Sequence, residues 1–147
     1  MRATVVATIL LACVVVGVSV AAKGTTVKLV VSGGHLDSAI EITGKDVVFA
    51  NPWGDAFVRE WKAIPPPPPG TPRYQVSFYE ELAPRNVKMM YVVEYSRSPK
   101  GDGAIYLPGH GDERYRLNVS TILRDGQDGQ WFPASDEWER TVGSRLQ

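Results

Sequence analysis

The chain has 147 residues, 44% of them hydrophobic and 22% charged, with 16 Lys and Arg against 16 Asp and Glu for a net charge of zero. A balanced chain without a Lys/Arg cluster lacks the electrostatic footprint of a nucleic-acid binder or of a protein held on an anionic membrane surface. A single cysteine, Cys13, excludes an intramolecular disulfide framework, and the length fits one domain with a modest core.

The N-terminus reads as an address. Arg2 is followed by an uncharged run over residues 3–22, and the next charge is Lys23. Charged n-region, apolar h-region and small residues at the cut (Ser19-Val20-Ala21-Ala22) follow the order of a signal peptide. Residues 1–22 are therefore expected to be removed, leaving a single β-rich domain over residues 23–147, exported to the periplasm or the extracellular space. The alternative is a membrane anchor, since residues 3–22 are long enough to span a bilayer, which takes about 20 apolar residues. The run is rich in Ala, Val and Thr and ends in small residues rather than an aromatic border, which argues for cleavage. Leu10-Leu11-Ala12-Cys13 loosely matches a lipobox, but Val14-Val15-Val16 continue the apolar run where a polar linker belongs. With no cysteine in residues 23–147, a bacterial exported protein fits better than a disulfide-stapled animal domain.

Residues 26–31 (T-V-K-L-V-V) are β-branched and residues 40–42 alternate apolar and polar, with turn residues between them, so a hairpin is expected. Residues 73–80 form a cleaner strand, with Tyr74, Val76 and Phe78 on one face. Over residues 87–95, strict alternation puts Val87, Met89, Tyr91, Val93 and Tyr95 on one face. Residues 103–107 and 115–123 read as two further strands, separated by a loop around His110. The pattern is that of an antiparallel meander.

Two helices are expected. Asp46 would cap a single turn over residues 46–50, stopped by Asn51-Pro52. Near the C-terminus, Ser135 would cap a helix with Asp136 and Glu137 in its first turn. Trp138, Val142 and Leu146 recur there at i, i+4 and i+8, a packing stripe laid on the sheet. The fold class is thus α+β and β-rich: an antiparallel sheet, meander or sandwich-like, with a C-terminal helix packed on it. The Pro-rich loop over residues 64–73 contains Pro65-Pro66-Pro67-Pro68-Pro69, which cannot join a ladder. It reads as a stiff surface spacer, with a docking peptide for an aromatic groove as the rival reading.

His35-x-Asp37 and His110-x-Asp112 account for both histidines. Imidazoles and carboxylates bind divalent metals at about 2.0–2.2 Å. If the two loops met, His35, Asp37, His110 and Asp112 would make a metal-binding protein or a metal-dependent hydrolase. No G-x-S-x-G occurs, Ser32 beside Gly33 is turn chemistry, and the adjacent Glu80 and Glu81 diverge on a strand. The stretch over residues 125–129 lacks the ligand pattern of an EF-hand and reads as a turn. Trp53, Trp61 and Tyr106 are candidate binding aromatics for a sugar or apolar ligand, with core packing as the competing account. Asn118-Val119-Ser120 fits the glycosylation sequon.

The series Tyr74-x-Val76-x-Phe78-Tyr79, Tyr91-Val92-Val93-x-Tyr95, Ile105-Tyr106-Leu107-Pro108-Gly109 and Asp128-Gly129-x-Trp131 with Trp138 resembles small exported bacterial proteins of uncharacterised function. It spans most of residues 23–147, and it implies no activity, cofactor or catalytic residue. No cofactor motif occurs. The expectation is a non-enzymatic binding or interaction module whose partner is a protein or a small molecule. The metal protein above and a structural envelope component are the alternatives.

Overall fold

The computed structural model describes residues 24–50, 57–118 and 127–146. Six strands form one antiparallel sheet in the order β2-β1-β3-β4-β5-β6. They are β1 (Thr25–Gly33), β2 (Ile40–Thr43), β3 (Arg73–Ala83), β4 (Asn86–Arg97), β5 (Gly103–Tyr106) and β6 (Trp131–Pro133). The expected first hairpin forms with Val31 opposite Ile40, and β3 through β6 run as a meander beside β1. All six strands enter a single sheet, so the meander is the form taken.

Alternation determines the buried face. Leu29, Val31, Tyr74, Val76, Phe78, Tyr91, Val93, Tyr95, Ile105 and Phe132 are all buried on one side of the sheet. The helix α2 (Asp136–Thr141), continued by a 3-10 turn over Gly143–Leu146, packs on this face through Trp138, and Val47, Phe49, Ala50, Phe57 and Val58 join the same core. Trp138 is fully buried, its ring centroid 5.7 Å from that of Tyr95 and 6.0 Å from those of Phe49 and Phe78. Ser135 caps α2 as expected, its hydroxyl accepting from Trp138 N–H at 3.0 Å. Trp138, Val142 and Leu146 all reach the core although the helix tightens after Thr141.

The strict alternation expected over residues 87–95 fails at its start. Phe78 pairs with Tyr91 but Tyr79 pairs with Met89, so Met90 is the extra residue of a β-bulge. The bulge reverses the facing of the residues before it: Val87 and Met89 are 45% and 42% exposed, whereas Tyr91, Val93 and Tyr95 are buried. A second irregularity, between Thr26 and Lys28, lies on the other side of β3. Because β3 itself alternates without a break from Tyr74 to Glu80, Glu80 points inward and is 3% exposed.

Two expectations about local structure are corrected. The turn expected over residues 46–50 is instead a 3-10 turn, Gly44–Val47, entered through Thr43 without a side-chain cap. Gly44 supplies the positive φ of +72° at its start. Asp46 sits inside that turn and accepts from Arg145 Nη2 at 2.7 Å. The strand expected over residues 115–123 begins instead as one helical turn, α1 (Tyr115–Asn118). Asp112 causes this: its carboxylate accepts from Arg114 N–H at 2.9 Å, and its carbonyl accepts from Tyr115 N–H at 3.0 Å. Residues 119–123 lie outside the described residues, as do residues 1–22.

The opposite face of the sheet carries the row Gln75, Glu94, Tyr106 and Trp131. The segment before β3 closes over its upper part. Ile64 N–H donates to Trp131 O at 2.8 Å, tying the segment to β6. Ser96 Oγ donates to Pro72 O at 2.9 Å, tying its far end to β4. Between these anchors the proline run passes over Ser96 and Ala104, which makes it the spacer that brings the chain from the edge of the sheet back to β3.

Candidate functional site

At one end of the sheet the β1–β2 and β4–β5 turns meet over a cavity of about 380 Å³. Gly33 and Gly34, at φ of +83° and +60°, reverse the chain so that His35 reaches the sheet. A Cβ on Gly34 would overlap the Tyr74 ring, so the turn lies directly on that phenol. Tyr74 OH is 2.7 Å from His35 Nδ1, with the two rings edge-on at 5.5 Å. Burial raises the Tyr74 pKa.

The second wall is the β4–β5 turn. Ser98 N–H donates to Asp102 O and Gly101 N–H to Ser98 O, both at 2.9 Å, closing residues 98–102. Arg97 is held from behind. Its Nε lies 3.2 Å from Glu139 Oε2 and 3.4 Å from Gly101 O, and its Nη1 donates to Gly143 O at 3.2 Å. Tyr95 OH donates to Glu139 Oε1 at 2.8 Å. Burial raises the Glu139 pKa against the opposing pull of Tyr95 and Arg97, and burial raises that of Tyr95 further. A Cβ at Gly103 or Gly143 would run into the Glu139 carboxyl, so both glycines leave room for this half-buried acid.

Arg97, exposed Lys100 and His35 line the cavity, and among the described residues no Asp or Glu does. Pro72, Pro99 and Leu146 make an apolar side. Ser98 Oγ, in the same wall, is buried and has no hydrogen-bond partner among the described residues.

The residues singled out in the sequence have other surroundings. His35 belongs to this cavity. His110 stacks on Tyr115 at 4.1 Å between ring centroids, and its Nε2 is 3.8 Å from Asp128. Asp37 is exposed. Asp112 holds the Arg114 guanidinium, accepting from Nε at 2.8 Å. That contact lowers the Asp112 pKa and raises that of Arg114. The two His-x-Asp loops thus engage separate partners, and among the described residues no group of three or more His, Cys, Asp and Glu is placed to hold a metal ion.

Trp61 is half-buried, with its ring 5.1 Å from Phe132 and 6.2 Å from Phe57. Tyr106 lies 5.2 Å from Trp131, itself buried beneath the Arg73 guanidinium at 5.1 Å. Both are packing aromatics, and Trp53 lies outside the described residues. The charges on that face are consumed internally: Glu94 accepts from Arg73 at 3.2 Å and from Arg114 at 3.4 Å. Asn118 is fully buried, its amide clamped on the backbone of Val92, with Val92 N–H donating to Oδ1 at 2.8 Å. A glycan on the Asn118 sequon is incompatible with this fold.

Comparisons with protein-family models, with curated proteins and with solved structures find no match for this chain.

Proposed function

We propose that this protein is an exported, non-enzymatic binding module whose ligand is a small molecule seated between His35, Tyr74 and the β4–β5 turn. One observation carries the reading: the turns at this end of the sheet border an open cleft of about 380 Å³ with polar donors on one side and an apolar wall on the other. Small-molecule sites combine these two linings, at volumes of roughly 300–1,000 Å³. The 2.7 Å contact between Tyr74 OH and His35 Nδ1 supports a binding role, because it fixes both polar groups at the mouth of the cleft. The charged, apolar and small-residue order of residues 1–22 supports a place outside the cytoplasm.

Thermal melting of the protein with a panel of small polar compounds tests the reading. A ligand that binds only the folded state raises the melting midpoint with its concentration. Some compounds are expected to do so for the wild type and to lose the effect in His35→Trp, where an indole on the exposed turn fills the mouth. No midpoint rise with any compound, or equal rises in both proteins, overturns the proposal.

A further inference from the structure

We propose that the ligand is an organic acid, a carboxylate on a short apolar body, a reading that rests on the pocket being a binding site. Among the described residues the cavity's charged lining is Arg97 and Lys100, beside the imidazole of His35, with no acidic side chain. Glu139 offsets part of the Arg97 charge from behind, whereas among the described residues Lys100 has no acidic partner in the wall.

The donors already in use narrow the class. Arg97 Nε and Nη1 are bound to Glu139 and to backbone carbonyls. Nη2 is the guanidinium nitrogen left over, and it lies beside Gly101, where a Cβ would be 3.9 Å away. The guanidinium is therefore fixed in orientation before any ligand arrives, which lowers the entropy cost of using Nη2. Phosphate groups are usually cradled by several convergent backbone N–H groups. Here the N–H groups of Ser98 and Gly101 are spent inside their own turn. Two side-chain cations and a neutral phenol suit a single carboxylate instead. The opposite wall of Pro72, Pro99 and Leu146 accepts the apolar remainder of such a molecule.

Benzoate, its neutral isostere benzamide, and inorganic phosphate form the test, titrated into the full protein and followed by two-dimensional amide NMR. Benzoate is expected to shift the amides of His35, Lys100 and Gly101 saturably, benzamide far more weakly, and phosphate little. Lys100→Gln, an exposed change that leaves the fold intact, should weaken benzoate about two- to fivefold, the range for a single exposed ion pair. Benzoate and benzamide binding equally overturns the organic-acid inference while leaving the pocket as a binding site. Phosphate binding at least as tightly as benzoate also overturns it. Saturable benzoate shifts that avoid residues 35 and 97–101 overturn both the inference and the function it rests on.

Discussion

Glu80 shows what a single residue can reveal about this core. Its side chain follows the alternation of Tyr74, Val76 and Phe78 onto the inner face, it is 3% exposed, and Oε1 has no hydrogen-bond partner among the described residues. Burial raises its pKa, so the folded state holds this proton more tightly than the unfolded chain does. The stability from this group is complete below the ordinary carboxyl range and is lost as pH rises through the raised value. Glu80→Gln is expected to raise the denaturation midpoint at about pH 7 and to change it little at about pH 3.5. Chemical denaturation at the two pH values measures this, and an equal shift at both would contradict it. Trp138 is the complementary case, a large side chain in contact with four aromatic rings of the core. Trp138→Ala should cost about 3–5 kcal/mol of unfolding free energy.

Among the elements, β4 separates a legible signal from a hidden one. The alternation over residues 91–95 is enough to identify a buried face, and Tyr91, Val93 and Tyr95 occupy it. Nothing in N-V-K-M-M-Y marks the position of a bulge, because the extra residue is set by pairing with β3 and not by its own side chain. The bulge predicts a contrast between two neighbouring apolar residues. Met89→Ser should change stability by no more than about 0.5 kcal/mol, as surface substitutions do. Val93→Ala should cost about 2 kcal/mol through a core cavity. Urea denaturation of both variants decides, and comparable losses would restore strict alternation. The C-terminal helix was readable because cap, charge and spacing agree there. The strand β6 was not, being three residues long and ending in Pro133. Truncation before Asp136 removes Trp138, Val142 and Leu146 from the core, and is expected to lower stability by several kcal/mol.

At the scale of the molecule, one sheet buries its inner face under α2 and closes its outer face with the proline segment and a paired charge network. Among the described residues no helix is long and apolar enough to cross a membrane. The candidate site lies where two turns distant in sequence meet, which is why it was only partly legible. His35 stood out as one of two histidines, but Arg97 and Lys100 carry no motif, and only strand order brings them to Tyr74. The Trp61 and Tyr106 aromatics, conspicuous in sequence, are used for packing. The central claim is that ligands enter this pocket. Amide shift mapping with a compound that raises the melting midpoint tests it most directly. The account predicts saturable shifts confined to the amides of residues 35, 73, 74, 97, 98, 100, 101 and 146; shifts centred on Glu94 and Arg114 of the outer face would contradict it.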